Sequence, residues 1–309
     1  MNVGFIGLGT MGSRVARNIQ RAGFDLVVHD LNRHAAAALL SKGARWADSP
    51  KDVMDGTDLV GTMVFGPKEI EDVVRGGNGL LAGPCADKVW LDLTTSAPSL
   101  MRALGEAFSA RGGMPVDAPV TGSVDAAIRG DMIMFVGGED AAVARAQPVL
   151  DAIGRTRRVG AHGNGYVAKL VNNQLWKIHA AAIGEAMVAA KKAGLEPEVW
   201  WEAMKGGAAD SYVMQHDVPS VFAGHYDPSF PLVLCLKDLS LIADLLDQTK
   251  TRAELTRATH ARFQEAADRY GLAAGDMAVC KLIEDHAGVE LRVAGEWTAP
   301  WEARHPDEE

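Results

Sequence analysis

Apolar runs of four to six residues alternate with helix-like segments along the first half of the chain. The predicted strands are residues 3–6, 26–29, 59–64, 89–93 and 132–136, with further strand-like positions at Val116 and Val159. The predicted helices are residues 11–22, 35–40, 100–110 and 141–153. Strands that lack polar alternation and are separated by helices indicate a parallel sheet that is covered on both faces. The pattern predicts the α/β class, with a doubly wound, mostly parallel sheet.

The character of the sequence changes near Gly163. Beyond it the chain is rich in alanine, leucine, glutamate and lysine, and little of it has the pattern of a strand. Residues 166–193 contain no proline and are followed by Gly194, a residue type that commonly ends helices. At ~1.5 Å per residue, about 28 residues form a helix of roughly 40 Å. We therefore predict an α/β domain at 1–162, an all-α domain at 163–294 that the long helix joins to it, and a tail at 295–309 that is loose or docked on a partner subunit.

Composition and charge narrow the set of possible partners. The 309 residues include 48% hydrophobic and 23% charged residues, an ordinary globular balance. The net charge is -9, whereas nucleic acid or an anionic membrane surface would require a positively charged face. Only Arg155, Arg157 and Arg158 form a small basic cluster, which we interpret as a solvated turn. No apolar run approaches the ~18 residues of a membrane span, so neither nucleic acid nor a membrane is expected as a partner.

The positions of the cysteines, histidines and serines indicate the cell compartment and argue against metal-dependent and acyl-transfer chemistry. Cys85, Cys235 and Cys280 lie far apart, and this odd, widely spaced set fits a reducing compartment. The start of the chain lacks the basic segment of a signal peptide, so we expect a cytoplasmic protein. The nine histidines form no HExxH or HxH pattern, and no serine lies in GxSxG. We therefore predict no metal site and no acyl-transfer chemistry.

A glycine-rich loop follows the first predicted strand and opens the first predicted helix. It matches GxGxxG, a weak pattern alone but a specific one in this strand–loop–helix context. Gly7 permits a tight turn, Gly9 lets the backbone approach a pyrophosphate, and Gly12 lets helix and strand pack closely. The helix N-terminus then presents unpaired N–H groups to the phosphates. We predict a Rossmann nucleotide-binding domain in which the loop binds the cofactor, through Gly7, Leu8, Gly9, Thr10, Met11 and Gly12.

The second predicted strand ends near an acidic residue, Asp30, at about the spacing expected for the acid that binds a ribose diol. A carboxylate there repels a 2′-phosphate and favours NAD, whereas Arg33 could reach such a phosphate and leaves NADP possible. Leu31 and Asn32, which follow the acid, are predicted to belong to the same cofactor site.

The segment Asp117-Ala118-Pro119-Val120-Thr121-Gly122-Ser123 places proline and glycine around small hydroxyl residues. A loop of exposed N–H groups would suit a carboxylate. A structural turn after a strand is an equally good interpretation of these residues.

Lys169 is the candidate catalytic residue. It lies in the first turns of the long predicted helix, after Gly163 and Gly165, which place that turn close against a bulky group, and it shares a helix face with Asn173. Most helical lysines are solvated. Here the apolar neighbours and the helix N-terminus would both disfavour the ammonium and lower its pKa toward the working pH, as a general base requires.

Five ordered motifs resemble the β-hydroxyacid dehydrogenase family, which includes 3-hydroxyisobutyrate dehydrogenase and tartronate semialdehyde reductase. The similarity runs from about residue 3 to about residue 285. The motifs are Gly-Phe-Ile-Gly-Leu-Gly-Thr-Met-Gly at 4–12, Asp-Leu-Thr-Thr at 92–95, Asp-Ala-Pro-Val-Thr-Gly at 117–122, Gly163-x-Gly165 with Lys169 and Asn173, and Lys-Asp-Leu at 237–239.

The resemblance implies a hydride transfer between a nicotinamide cofactor and a small 3-hydroxy acid or the matching semialdehyde. It implies that Lys169 is the general acid/base and that Asn173 binds substrate. It also implies that Thr121 and Gly122, with Val120 and Ser123 beside them, hold the substrate carboxylate. Thr95 and Lys237 would lie beside the cofactor, and Val64 would lie in the loop over it. Members of the family form dimers or tetramers through the helical domain, so the same is expected for residues 163–294.

Some positions depart from the family pattern. Ser123 replaces a second glycine, while Gln174, Trp176 and His179 replace small aliphatic residues, which indicates a more polar substrate unless Trp176 simply fills the helical core. The alternatives are an NADP-linked semialdehyde or imine reductase of the same fold and a non-catalytic dinucleotide-sensing protein. Imine reductases of this type generally lack the lysine, so Lys169 argues against them.

Overall fold

A computed structural model describes residues 1–306, and the last three residues of the predicted tail, 307–309, lie outside the described part. The chain divides into two compact units. The first comprises residues 1–169 together with the described residues from 303 onward, and the second comprises residues 170–302.

The first unit contains one sheet of nine strands within the described residues. The strands are β1 (Asn2–Ile6), β2 (Asp25–His29), β3 (Arg45–Trp46), β4 (Leu59–Thr62), β5 (Val89–Asp92), β6 (Met114–Asp117), β7 (Val120–Thr121), β8 (Met132–Gly137) and β9 (Gly154–Gly160). Six of them lie parallel in the order β3-β2-β1-β4-β5-β6. This is the doubly wound order, and its direction of winding reverses between β1 and β4, where such folds open a ligand-binding crevice at the carboxyl ends of the strands.

Helices of the first unit connect and cover these strands. They are α1 (Gly12–Arg21), α2 (Ala37–Leu40), α3 (Pro50–Asp55), α4 (Pro67–Arg75), α5 (Pro98–Ser109), α6 (Ser123–Arg129), α7 (Asp140–Ile153) and the start of α8 (Asn164–Lys192), with 3₁₀ turns at Arg33–Ala36 and Leu80–Ala82. Neighbouring strand residues enter different cores: Val89 and Leu91 pack in one cluster, and Trp90 packs in another. Because strand side chains alternate, the sheet is buried on both faces.

The second unit is all-α over its described residues. It contains the rest of α8, α9 (Pro197–Met204), a π-helical turn at Val213–Asp217, α10 (Val218–Ala223), α11 (Leu232–Gln248), α12 (Glu254–Tyr270), α13 (Ala278–Ala287) and a 3₁₀ turn at Pro300–Glu302. Trp297 of the predicted tail packs on its own chain, with its ring 5.8 Å from that of Trp201 and 5.4 Å from that of Phe222. None of the helices formed by residues 1–306 combines the length and the apolar character that a membrane span requires.

The parallel sheet and the helical second half are confirmed, with local differences. β4 ends two residues before the predicted limit, so Val64 lies in the loop that follows it. The segment 117–123 contains a two-residue strand, β7, which pairs with β8 and is too short to show alternation. The interpretation of Arg155, Arg157 and Arg158 as a turn is wrong, because they lie in β9, whose backbone pairs with β8.

Candidate active site

The glycine loop has a different steric requirement at each glycine. Gly7 has a φ of +93°, and a Cβ there would overlap the carbonyl oxygen of Met63. A Cβ on Gly12 would overlap the carbonyl oxygen of Gly7, whereas a Cβ on Gly9 would meet nothing within 4 Å. The first and last glycines are therefore required by the protein itself. Gly9 leaves open space at the N-terminal end of α1, where the backbone could approach a dinucleotide phosphate.

Asp30 follows β2 and is bonded to the glycine loop. Its Oδ2 accepts a hydrogen bond of 2.6 Å from Leu8 N, and its Oδ1 accepts one of 2.7 Å from Asn32 N. Leu31 and Asn32 are exposed beside it, and the guanidinium carbon of Arg33 lies 5.3 Å from the centre of the Trp46 ring. The carboxylate therefore has a fixed orientation next to the glycine loop, at the carboxyl edge of the sheet.

The loops after β4 and β5 are joined by a hydrogen bond. Val64 N donates to Thr94 Oγ1 at 3.2 Å. Thr95, predicted to lie beside the cofactor, is half-buried directly after Thr94. The strands β2, β1, β4 and β5 are adjacent in the sheet, so the predicted cofactor residues of the first unit all follow the carboxyl ends of neighbouring strands.

Asp92, the last residue of β5, is a buried acid that contacts the first turn of α8. Its Oδ2 accepts from Tyr166 Oη at 3.0 Å and from Thr94 N at 3.1 Å, and its Oδ1 accepts from Thr62 Oγ1 at 2.5 Å. Burial raises the pKa of Asp92 to about 7, against the opposing effect of these hydrogen bonds. Neither Asp92 nor Tyr166 had a role predicted from the sequence.

Asp117, the last residue of β6, caps the same helix end. Its two carboxylate oxygens accept from Gly163 N at 3.1 Å and from Gly165 N at 2.5 Å. A Cβ on Gly165 would overlap both Asp117 Oδ2 and the carbonyl oxygen of Phe135, so the bulky neighbour predicted for this turn is a strand end and its acid. Burial raises the pKa of Asp117 to about 6, and the backbone hydrogen bonds oppose that shift.

Lys169 lies one turn after these anchored residues. It is half-buried, and it follows Gly165 by four residues and Tyr166 by three, so all three share a helix face. Both anchoring acids end strands, β5 and β6, that are neighbours in the sheet and pair Asp92 with Asp117 in register. The position of Lys169 is therefore set by the same edge of the sheet that carries the glycine loop.

The predicted carboxylate loop combines a strand with a strained turn. Val120 is buried in β7, Thr121 is half-buried, and Gly122 has a φ of +127°. Ser123, which begins α6, has a φ of +66°, a left-handed conformation that glycine adopts without penalty. Ser123 therefore replaces the family glycine but keeps a backbone conformation that is typical of glycine.

In the second unit, Asn173 and Lys237 share one carboxylate. Asn173 Nδ2 donates to Asp238 Oδ2 at 2.6 Å, and Lys237 Nζ lies 3.1 Å from Asp238 Oδ1. Lys177 Nζ lies 3.5 Å from Asp238 Oδ2, and both of these side chains are almost fully buried. The sequence predicted no role for Lys177, or for Asp238 beyond its place in the Lys-Asp-Leu motif. The spacing of Lys177, four residues after Asn173 on the same helix face, was the available signal.

Three polar departures from the family pattern have defined positions. Gln174 Nε2 donates to Thr256 Oγ1 at 2.8 Å, and Trp176 Nε1 donates to Asp217 Oδ2 at 2.7 Å. Trp176 also packs against the apolar core of the second unit, while His179 is exposed. Gln174 and Trp176 are thus bonded within their own unit. Over residues 1–306, no three His, Cys, Asp or Glu side chains are grouped to hold a metal ion.

The strand order, the glycine loop and Asp30 define the class of nicotinamide-dinucleotide-binding enzymes. Residues 2–163 match the family described as the NAD binding domain of 6-phosphogluconate dehydrogenase. Residues 163–283 match the family described as NAD-binding of NADP-dependent 3-hydroxyisobutyrate dehydrogenase.

Individual relatives agree with these matches. The chain is 32% identical over 292 residues to L-threonate dehydrogenase of Cupriavidus necator, covering 94% of this chain and 97% of that one. It is 36% identical over 248 residues to 3-hydroxyisobutyrate dehydrogenase of Pseudomonas aeruginosa, covering 78% and 83%. The crystal structure of 3-hydroxyisobutyrate dehydrogenase from Salmonella typhimurium has a TM-score of 0.82 at 28% identity, covering 91% and 99%. The chain belongs to the β-hydroxyacid dehydrogenase family and is an NAD(P)-dependent oxidoreductase.

Proposed function

We propose that this enzyme oxidises a small 3-hydroxy acid, or reduces the matching semialdehyde, with Lys169 as its general acid/base. The observation that carries the proposal is the anchoring of the first turn of α8. Asp92 and Asp117 bind that turn to the carboxyl edge of the sheet, the edge at which the glycine loop opens. A proton-transfer group needs such a fixed position relative to the cofactor loop.

The cofactor-binding residues fit a dinucleotide. The open side of Gly9 would admit a pyrophosphate, and Asp30, with Leu31 and Asn32 beside it, would bind the ribose hydroxyls. The carboxylate of Asp30 disfavours a 2′-phosphate, so we propose a preference for NAD over NADP. When bound, the nicotinamide ring supplies the hydride acceptor or donor.

The chain's own residues then handle the proton and the substrate. In the oxidation, the neutral amine of Lys169 takes the proton of the substrate hydroxyl as the carbon loses a hydride and becomes a carbonyl. In the reduction, the ammonium of Lys169 gives its proton to the developing alkoxide. We assign substrate binding to Asn173 and carboxylate binding to residues 120–123.

The test is the Lys169→Ala variant. We expect kcat to fall at least about 100-fold, the lower range for loss of a general acid/base, while the dissociation constant for NAD stays within a factor of about three. The matched control is Lys192→Ala, which removes an exposed lysine at the other end of the same helix and should leave kcat unchanged. A Lys169→Ala enzyme that keeps near-wild-type kcat would remove the assignment.

A substrate panel distinguishes this function from a dinucleotide sensor. Absorbance at 340 nm is followed with NAD and NADP over serine, 3-hydroxyisobutyrate, 3-hydroxypropionate, glycerate and L-threonate, the last because of the Cupriavidus necator relative. Turnover of at least one hydroxy acid supports the proposal, and a higher kcat/KM with NAD than with NADP supports the role of Asp30. Binding of NAD without turnover on the whole panel would favour the sensor.

We also propose a cytoplasmic homodimer or homotetramer. All three cysteines are buried free thiols, which suits a reducing compartment. The helix α8 keeps Val171 and Leu175 exposed at 43% and 52%, and apolar side chains of this kind suit a subunit interface. Light scattering after gel filtration would give about twice or four times 32.9 kDa if the proposal holds, and 32.9 kDa itself would overturn it.

A further inference from the structure

Lys177 is a lysine whose burial needs an explanation. Its side chain is 1% exposed and lies 3.5 Å from Asp238, whose side chain is 2% exposed. Removing both charges from water costs several kcal/mol per ion, and apolar residues of similar size often stabilise such a site as well or better. Stability alone therefore does not explain this ion pair in the interior of the second unit.

Two aromatic rings lie close to the Lys177 ammonium, beside Asp238. Its Nζ lies 5.3 Å from the centre of the Trp176 ring and 5.7 Å from that of Phe230, distances at which an aromatic face attracts a cation. Lys237, a second cation at Asp238, is 15% exposed and lies 3.1 Å from the opposite carboxylate oxygen. Lys177 is thus the fully buried counter-charge of this carboxylate.

Asp238 in turn fixes the side-chain amide of Asn173. The bond from Asn173 Nδ2 to Asp238 Oδ2 is short, at 2.6 Å, and charge-assisted hydrogen bonds are shorter than neutral ones. A carboxylate only accepts, so it selects the orientation in which the amide nitrogen points toward Asp238. The amide oxygen is then directed to Asn172 Nδ2, at 3.1 Å. If Asp238 were protonated or replaced by an amide, either end of Asn173 could face it.

We propose that Lys177 is a positioning residue that keeps Asp238 ionised and thereby holds the Asn173 amide in one orientation for substrate binding. The inference rests on the proposed role of Asn173 as a substrate ligand. Lys177 itself touches neither substrate nor cofactor in this scheme. Its effect is transmitted through Asp238 to the amide, and it should therefore change substrate affinity more than the chemical step.

The test compares Lys177→Met, Lys177→Arg and the double variant Lys177→Met/Asp238→Asn, with Lys192→Met as the exposed control on the same helix. We expect Lys177→Met to raise the substrate KM about 10- to 100-fold, the range for loss of one well-placed polar contact, with kcat changed less than about 5-fold. Lys177→Arg keeps the charge and should recover most of the KM. Unchanged KM in Lys177→Met beside an active wild type would overturn the inference.

The double variant separates positioning from stability. It removes both buried charges, so its melting temperature should return toward the wild-type value even if Lys177→Met is too unstable to assay. An asparagine at 238 no longer selects the Asn173 orientation, so the KM should stay high. Recovery of KM together with stability would show a purely structural role and overturn the inference.

A readout without turnover keeps the inference distinct from the proposed function. The side-chain NH₂ signals of Asn173, assigned by their loss in Asn173→Asp, should be shifted and protected from exchange in the wild type. They should lose both properties in the double variant. If the wild type turns over no hydroxy acid but these signals respond as described, the substrate assignment fails and the positioning of Asn173 stands. Signals that do not respond overturn the inference.

Discussion

Replacement of Tyr166 by phenylalanine removes one oxygen atom and tests how much its hydrogen bond to Asp92 anchors the start of α8. The ring keeps its place in the apolar core on one face of the sheet, and only the hydroxyl that donates to Asp92 Oδ2 at 3.0 Å is lost. The Asp92 carboxylate then keeps the donors Thr62 Oγ1 and Thr94 N. The variant therefore measures the contribution of one buried hydrogen bond at the start of the helix that carries Lys169.

The size of the effect depends on the protonation of Asp92. A hydrogen bond to an ionised group contributes roughly 1.5–3 kcal/mol, and one between neutral groups about 0.5–1.5 kcal/mol. Burial raises the pKa of Asp92 from 3.8 to about 7. We therefore expect Tyr166→Phe to lower the free energy of unfolding by about 1 kcal/mol at pH 5.5 and about 2 kcal/mol at pH 8.5, where the folded state holds a carboxylate.

The sign follows from proton linkage. A folded-state pKa above the unfolded value means that, between 3.8 and about 7, the native state binds more protons than the unfolded state. Stability from Asp92 is therefore present at low pH and is lost as the pH rises through this window. Removing the Tyr166 donor raises the folded-state pKa of Asp92 further, so the additional loss develops at the alkaline side of the window.

Urea unfolding followed by tryptophan fluorescence at both pH values measures the difference. The matched control is Tyr270→Phe, which removes a hydroxyl bonded to the exposed carboxylate of Asp285 at 2.5 Å. It should change the free energy of unfolding by less than about 0.5 kcal/mol at either pH. Equal losses for Tyr166→Phe at pH 5.5 and pH 8.5, or no loss at all, would refute the reasoning about Asp92.

Two further predictions concern the glycine loop and the turn before α6. Gly9→Ala should fold with wild-type stability, because its Cβ meets nothing within 4 Å, but should weaken NAD binding at least about 10-fold in a fluorescence titration. Gly12→Ala, whose Cβ overlaps the carbonyl oxygen of Gly7, should instead lower the melting temperature, and equal behaviour of the two variants would contradict this division of roles. Ser123→Gly should raise the free energy of unfolding by about 0.5–1 kcal/mol, because it relieves the left-handed backbone at φ +66°, and a destabilised variant would show that the strain is not there.

Local sequence patterns predicted the fold because the elements that define it are local. The apolar runs of β1, β2, β4 and β5 and the glycines at the start of α1 specify the parallel sheet and its nucleotide loop without reference to distant residues. β7 escaped prediction because two residues cannot show a period. The left-handed backbone of Ser123 escaped it because glycine is the usual sign of that conformation.

The polar contacts of the candidate site could not be predicted in the same way. Asn173 and Asp238 are 65 residues apart, and Tyr166 and Asp92 are 74 apart, so no periodicity connects them. An acid at the end of an apolar strand has the same sequence pattern whether it faces water or caps a distant helix. The sequence identifies Lys169 and Asn173 as candidates, whereas the residues that orient them are known only from the folded chain.

The carboxylate of Asp117 also restricts which substitutions the residues around it can accept. Gly137 and Gly165 lie against its two oxygens, and a side chain at either position would collide with the acid as well as with neighbouring backbone. A longer acid at 117 would need the space that these glycines provide, and a larger residue at either glycine would need the acid removed. Positions 117, 137 and 165 can therefore change only together. A library of single substitutions should find all three positions intolerant, while residues on the exposed face of α8 vary freely.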